Sequence, residues 1–420
     1  MTMDSDLNGH IYDVIIIGAG ASGLYCAAQL KHKRVLVIEK NKKVGLKILA
    51  SGSGQCNLTH GGYIKDFYEC YGDKKNFVKP ALLNHDNRKV KSFYESMGVK
   101  LFEREDGKVF PCSLKASDIV EALMKACRQN HVTFKLNSPV TACHALEVPL
   151  NEERRFKVDV TEGCFYSKFL VMATGGKSYK ALGTNGDGYV FAENFGHIIK
   201  PLKPGLTGVV TRSKELLALQ GLAVEKVMVS HVPLSGKMTR YSGALLFTHF
   251  GLSGPVIINN SRSFDRGESL TINFLAEEAE RVERAFIQCV EQHGEKPLAY
   301  YINQIKLPDA LKTHMLERCQ LAKDIKLAVV TKVQRKQLIK QMTQYDVEIE
   351  SLIGFQQAMV TVGGVSCEEI DAKTMASSKV RGLYIVGETL DVDGDTGGYN
   401  LQWAFSSGYA AALDIMKSEA

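Results

Sequence analysis

The strongest constraint on this chain lies between Tyr12 and Glu39, YDVIIIGAGASGLYCAAQLKHKRVLVIE. Its run from Val14 to Ile17 is apolar and β-branched, which suits a strand buried in a parallel sheet. Gly18-Ala19-Gly20-Ala21-Ser22-Gly23 follows, then a helical pattern through Leu30, then a second apolar run from Val35 to Ile38 that ends in Glu39. In this context the glycines form a dinucleotide-binding fingerprint. The first permits a tight turn, the second lets backbone approach a pyrophosphate, and the third lets helix lie against strand. Phosphates are expected on the helix N-terminus, and Glu39 stands where an acid can hold a ribose hydroxyl.

At 420 residues the chain is too long for one ordinary core, so two or three domains are expected. Lys and Arg number 52 against 46 Asp and Glu, a mild excess that permits an anionic partner without requiring one. The ten cysteines show neither CxxC pairs nor His spacing, so no metal and no disulfide framework is expected. Free thiols in a reducing cytoplasm are the simplest account. The N-terminus, MTMDSDLNGH, lacks a signal-peptide core, and no run of about 18 apolar residues predicts a membrane span.

After Glu39 and Lys40, the stretch ILASGSGQCNLT holds Ser51, Gly52, Ser53 and Gly54. It reads as a close-packed loop whose amides face a ligand, or else as a linker. Ser117–Arg128 is an amphipathic helix with Ser117 as a candidate cap. A strand over 132–136 leads to Val140, the candidate backbone contact for an adenine. Two alternating strands follow, the second running into Thr174-Gly175-Gly176, where small residues let backbone lie against a cofactor. Asp187 opens a helix as cap or ligand.

Composition shifts after His197. Short alternating strands with turns at Pro201, Pro204-Gly205 and Ser235-Gly236 predict a small antiparallel β domain. In SGALLFTHFGLSGPVII, Ser253 is a candidate cap, Pro255 suits a first helical turn, and His249 is either a structural hydrogen-bonder or a catalytic group. Helices over about 276–344 end in a basic run, Lys323, Lys326, Lys332, Arg335, Lys336 and Lys340, with no carboxylate between Asp324 and Asp346. Such a run serves as a solvated face or as an electrostatic footprint for RNA. The last segment returns to the first fold. QAMVTVGGV is strand-like with a break at Gly363-Gly364. GLYIVGE is a strand ending at Gly387-Glu388, followed by Asp391 and a helix beginning near Asn400-Leu401-Gln402. An acid after such a strand can bond a ribityl hydroxyl, and the helix N-terminus favours the charge of a reduced flavin. The residues thus point to FAD rather than NAD. The expected organisation is 1–196 and 355–420 as a divided FAD-binding domain, with 197–354 inserted.

GAGASGLYCA, LASGSGQCNLT, ATGGKSY with GTNGDGY, LFTHFGLSGP and GLYIVGETLDVDGDTGGYNLQWAFSSG together resemble one bacterial FAD flavoprotein family. Its members are known as aminoacetone-oxidase-like, BaiN-like and, in enterobacteria, YhiN-like NAD(P)/FAD-dependent oxidoreductases. The likeness covers nearly the whole chain, and a more distant one reaches fumarate-reductase flavoproteins. It implies an α/β fold: a glutathione-reductase-type FAD-binding Rossmann domain split by a β-barrel-like plus helical insert. It implies FAD contacts at Gly18, Gly20, Ser22, Gly23, Glu39, Lys40, Asn57, Thr174, Gly175, Glu388, Asn400, Leu401 and Gln402; Ala21, Ser51, Gly52, Val140, Gly176, Gly387 and Asp391 join them from their places in the motifs. Three positions depart from the family pattern. Gln55 replaces an Arg, His60 an Asn and Lys180 a Pro, so a substrate inference that needs that Arg does not transfer.

The resemblance implies either reduction of an activated carbon–carbon double bond, in dehydro bile acids or in the uracil ring of ribosomal RNA, or oxidation of a small amino ketone. The expected activity is a flavin-linked reductase fed by NAD(P)H, with Cys56 and His249 as candidate proton donors. Cys56 has a second reading as a small residue packed near the cofactor. A second GxGxxG is absent from the sequence, so the nicotinamide binds transiently or electrons come from elsewhere. The alternatives are an oxidase that releases peroxide, a reductase acting on ribosomal RNA, and a flavin redox sensor without turnover.

Overall fold

In the computed structural model the apolar run at the start of the chain is β1 (Ile11–Ile17). The glycine turn leads into α1 (Ala21–Gln29), and β2 (Val35–Ile38) returns parallel to β1 with Val14 opposite Val35 and Ile17 opposite Ile38. The structure describes residues 11–146, 155–233 and 236–418; the N-terminal MTMDSDLNGH and the turn residue Ser235 lie outside the described residues.

After β2 come α2 (Leu46–Ala50), β3 (Thr59–His60), α3 (Lys75–Asn84), α4 (Asn87–Ser96), β4 (Leu101–Glu103), β5 (Lys108–Pro111), α5 (Ala116–Gln129) and β6 (Thr133–Lys135). The small sheet β3-β5-β4 is antiparallel. α5 begins one residue before Ser117, so Ser117 is not its cap; the hydroxyl bonds the neighbouring Asp118 instead. The buried face of α5 follows the 3.6-residue period through Ile119, Val120, Leu123 and Cys127, and the Cys127 Sγ and Asn130 Nδ2 reach carbonyls of α1 at Leu24 and Ala28.

β7 (Val140–Ala145), β8 (Phe156–Val160) and β9 (Gly163–Met172) form an antiparallel meander, followed by α6 (Asp187–Asn194) and β10 (Ile199–Gly205). β9 is long enough to serve several neighbours. Its first part pairs with β8, and its last part runs parallel to β1. The order β6-β2-β1-β9-β8-β7 results. The strands at its centre, β1 and β2, are apolar and almost entirely buried, as suits a parallel sheet covered on both faces.

The inserted unit holds β11 (Val209–Thr211), β12 (Ala223–His231), β13 (Thr239–Thr248), β14 (Gly251–Ser253), α7 (Pro255–Ile258), β15 (Ser269–Asn273), α8 (Ala279–His293), α9 (Leu298–Ile302), α10 (Asp309–Arg318), α11 (Lys332–Thr343) and β16 (Tyr345–Leu352). Its strands close into a barrel in the order β11-β14-β13-β12-β15-β16. Val227, Val229, Leu245, Phe247, Leu270, Ile272, Val347 and Ile349 alternate inward and are completely or almost completely buried. Ser253 ends β14 and makes no cap; Pro255 does open α7, with Gly254 before it.

The chain then returns through β17 (Val360–Val365), β18 (Leu383–Ile385) and α12 (Tyr399–Lys417). β18 lies parallel to the end of β9. Gly363-Gly364 does not break β17: a Cβ at Gly363 would stand 2.2 Å from the Pro201 carbonyl, and its absence lets β10 pair with β17. The chain divides into two units, Met1–Pro204 with Phe355–Ala420, and Gly205–Gly354. Residues 197–204, which the composition shift assigned to the insert, go with the first unit through that β10–β17 pairing. Among the described residues no helix is long and apolar enough to cross a membrane.

α12 lies on α1 at backbone contact. A Cβ on Gly408 would stand 2.5 Å from the Ser22 carbonyl oxygen. Gly408→Val is therefore expected to destabilise the first unit by about 1–3 kcal/mol through overpacking. Thermal unfolding followed by near-UV circular dichroism checks this; an unchanged midpoint would show that the two helices part freely.

Candidate dinucleotide-binding and redox site

The N-terminus of α1 is built for an anion. Gly20 precedes it without a side-chain cap, no acid occupies its first turn, and Leu24 is the residue whose N–H returns to Gly20. The N–H groups of Ala21, Ser22 and Gly23 thus carry the positive end of the helix. A Cβ on Gly20 would meet no protein atom within 4 Å, whereas one on Gly23 would stand 2.0 Å from the Gly18 carbonyl. The second glycine therefore faces open space while the third seals the turn against the helix.

Glu39 sits at the end of β2, almost fully buried. Its Oε2 accepts from the Ala19 N–H at 2.8 Å, and its Oε1 accepts from the Asn41 N–H at 2.9 Å and Asn41 Nδ2 at 2.7 Å. The carboxylate thus braces the glycine turn and keeps lone pairs for a further hydroxyl. The Glu39 N–H reaches the Lys135 carbonyl, and the Ser138 N–H reaches the Glu39 carbonyl, so the segment leading to Val140 is tied to the end of β2. Val140 itself opens β7 opposite Val160. Lys40 bonds Asn185 and forms a 2.8 Å ion pair with Asp187 at the start of α6, which makes Asp187 an ion-pair partner as well as a first-turn acid.

Ser51–Gly54 forms a single tight turn, and the Ser51 hydroxyl returns to the Ile48 carbonyl. Gly52 is exposed, and the Asn57 Oδ1 is buried without a hydrogen-bond partner among the described residues. A buried amide oxygen with no protein partner leaves an acceptor for a ligand or water donor. Cys56 lies differently. Its side chain is completely enclosed in the core with Leu58 and Tyr94, and burial pushes the thiol up to about 12, a hydrogen bond from Ser51 offsetting part of that rise. His249 is exposed in the tight turn between β13 and β14, in the inserted unit, with its ring edge-on to Phe250.

The segment after β9 meets the segment after β18. The Gly175 N–H donates to the Thr389 hydroxyl at 3.1 Å, and Thr174 and Thr389 hydroxyls lie 3.2 Å apart. A Cβ on Gly176 would collide with Thr361 and Glu388. Glu388 is held by Lys47 at 2.6 Å, Ser178 Oγ at 3.1 Å and the Thr361 N–H at 2.8 Å. Gly387 is clasped by α12: its N–H reaches Ser407 Oγ and its carbonyl accepts from the Trp403 indole. Asp391 pairs with Lys74 at 2.9 Å, and burial raises its carboxyl above the usual range against that cation.

α12 supplies another uncapped N-terminus in this unit. Gly398 precedes it without a side-chain cap, and no acid stands in its first turn. A Cβ on Gly398 would strike the Thr59 backbone at 2.6 Å, which locks this end against β3. Asn400 staples the preceding loop through Gly394 and Asp395, and Gln402 is completely buried on Thr59, the His85 carbonyl and Ser406. Their side chains therefore hold the scaffold, and Leu401 between them is half-buried. Tyr399 stacks on His60, ring centroids 5.3 Å apart.

Lys47, Ser178, Thr361, Thr389 and Thr59 escaped the sequence reading. Lys47 immediately precedes the ILASGSGQCNLT stretch, yet nothing local reveals that its partner is Glu388, more than three hundred residues away. The basic run gains partners in the same non-local way. Lys326 pairs with Glu295 at 2.6 Å, Arg335 with Glu283 at 3.1 Å and Lys340 with Asp346 at 3.6 Å, while Lys323 donates to Thr313. Lys332 and Lys336 stay exposed on α11.

The whole described fold except its ends matches the HI0933-like protein Rossmann domain, over residues 12–414. The chain belongs to the HI0933-like family. It is 36% identical over 408 residues to the ribosomal RNA dihydrouridine synthase of Haemophilus influenzae, covering 96% of this chain and 98% of that protein. It is 29% identical over 409 residues to the 3-dehydro-bile acid delta(4,6)-reductase of Clostridium scindens, covering 94% and 97%. In fold it is similar to 3-ketosteroid delta1-dehydrogenase from Sterolibacterium denitrificans, with a TM-score of 0.50 at 15% identity, over 97% of this chain and 99% of that one. This HI0933-like chain is thus an FAD-family oxidoreductase. The uncapped α1 N-terminus, the open face of Gly20 and the partnerless Asn57 oxygen fit an FAD pyrophosphate and its neighbours.

The enclosure of Cys56 yields a direct test. Its folded-state value near 12 lies above the ordinary 9, so burial of the thiol stabilises the fold below pH 9, and that contribution is lost as pH rises from 9 towards 12. In the native protein at pH 8, Cys56 is expected to resist iodoacetamide while the exposed Cys112 is alkylated. Peptide mass spectrometry reads both sites; rapid native alkylation of Cys56 would show that its environment opens.

Proposed function

We propose that this chain is an NAD(P)H-driven reductase that saturates an activated carbon–carbon double bond, with the uracil ring of ribosomal RNA as its substrate. The observation that carries the reading is the full-length likeness to two relatives whose names share one chemistry. One makes dihydrouridine in ribosomal RNA, and the other reduces double bonds of a bile acid. The closer likeness in sequence is to the RNA enzyme, which favours uracil.

FAD, when bound, supplies the two-electron carrier between donor and acceptor. The N–H groups of Ala21, Ser22 and Gly23 would hold its pyrophosphate, Glu39 a ribose hydroxyl, and the Thr174–Gly176 and Glu388–Asp391 segments the middle of the molecule. The N-terminus of α12 would stabilise negative charge on the ring system, since no acid in its first turn opposes it. Over the cycle NAD(P)H gives up a hydride and becomes NAD(P)+, and the double bond gains that hydride and one proton. Cys56 suits the packing role better than proton delivery, because its thiol is fully enclosed and weakly acidic.

Anaerobic stopped-flow mixing of the yellow protein with NADH, NADPH or aminoacetone tests the reading. Bleaching by a nicotinamide, slow recovery in air, and fast recovery on adding a uridine-containing ribosomal RNA transcript are expected. The transcript is expected to gain two hydrogens per modified uridine by mass spectrometry. Bleaching only by the amine, with fast peroxide-yielding recovery in air, would replace the reductase by an oxidase.

A further inference from the structure

One exposed aromatic residue stands apart from the packing of the first unit. Tyr63 is 70% exposed, the most exposed large hydrophobic side chain among the described residues. The loop that carries it is not loose. The Asn87 Nδ2 donates to the carbonyls of His60 and Gly62 at 2.8 and 3.2 Å, and the Gly61 N–H reaches the Gly107 carbonyl at 2.7 Å. Both ring nitrogens of His60 lie within hydrogen-bond distance of carbonyls, at Gly61 and Asp106. Arg88, the next residue after Asn87, places its guanidinium 6.0 Å over the Tyr63 ring. A firmly held loop therefore displays an aromatic face and an exposed cation together.

The location gives this display a purpose. His60 stacks on Tyr399, the first residue of α12, and Thr59 lies in backbone contact with Gly398 at the same helix end. Tyr63 is thus carried by the loop that buttresses the open N-terminus of α12. An enzyme that reduces a base must act on a nucleotide taken out of its stack, and the neighbouring bases then need new faces to stack on. An exposed tyrosine beside an arginine is the usual protein means: the ring stacks on a base and the guanidinium stacks or pairs with phosphate.

We propose that Tyr63 and Arg88 form a stacking platform for a nucleobase that flanks the reacting uridine in single-stranded RNA. The proposal rests on the reading of the substrate as RNA. Tyr63 holds the base through its ring face rather than its hydroxyl, and Arg88 adds one phosphate contact. An apolar face alone would suit a flat steroid equally well; the cation over the ring argues for the polyanion.

The test uses the FAD-loaded full-length protein and a short, labelled, uridine-containing single-stranded RNA, with binding followed by fluorescence anisotropy over a range of salt. Tyr63→Ala is expected to weaken binding about tenfold to a hundredfold with little change in salt dependence, and Tyr63→Phe to bind as the parent does. Arg88→Ala is expected to lower the salt slope by about one. Flavin content, melting temperature and bleaching by the nicotinamide donor are expected to stay at the parent values, because neither side chain supports the fold. If the parent binds RNA and Tyr63→Ala binds equally tightly, the platform is overturned while the RNA reading stands. If the parent shows no salt-dependent RNA binding, the RNA reading fails and takes the platform with it.

Discussion

The first unit depends on the contact between α1 and α12. These helices come from opposite ends of the sequence, yet they approach until the Ser22 carbonyl meets the Cα of Gly408. That approach sets where both helix N-termini stand. It also draws Gly387 into the grip of Ser407 and Trp403, and so fixes the segment that carries Glu388 and Asp391. A larger side chain at Gly408 would push the helices apart and move every one of these groups together.

Around that contact the unit manages charge by position. The N-termini of α1 and α12 lack acids in their first turns, and three acids of the surrounding motifs already have partners. Glu39 is spent on the Ala19 and Asn41 N–H groups, Glu388 on Lys47 and Thr361, and Asp391 on Lys74. Such bracing keeps carboxylates from neutralising the helix ends while leaving them lone pairs for hydroxyl groups. A polyanionic cofactor is the natural counterpart of this arrangement.

What could be read in advance was local. The strand–turn–helix–strand order of residues 12–39 rests on apolar periodicity and glycine spacing, which are properties of neighbouring residues, and it appears as β1, α1 and β2 with the register of a parallel pair. The antiparallel character of the insert was legible for the same reason. Its closure into a barrel was implied by the family resemblance and not by the strand pattern itself, because β16 completes the barrel only after four helices intervene, pairing with both β11 and β15. The candidate caps at Ser117 and Ser253 failed because α5 starts before one and α7 after the other, a matter of a residue or two that tertiary packing decides. The uncompensated look of the basic run came from reading one segment; its acids arrive from α8, from Glu295 and from β16. Cys56 sits in a motif beside the cofactor loop, and only the fold reveals that its side chain turns into the core.

The divided first unit has a consequence for the order of events during synthesis. The inserted unit, Gly205–Gly354, is one continuous stretch with its own core, and it is synthesised before residues 355–420. Domains fold as units while the chain is being made. The barrel and its helices can therefore begin to settle while β17, β18 and α12 of the first unit are still incomplete. Since α12 completes the grip on Gly387 and supplies a further open helix end, the candidate cradle is unfinished until Tyr399–Lys417 is made. A chain that stops before α12 would therefore carry a finished insert beside an unfinished cradle.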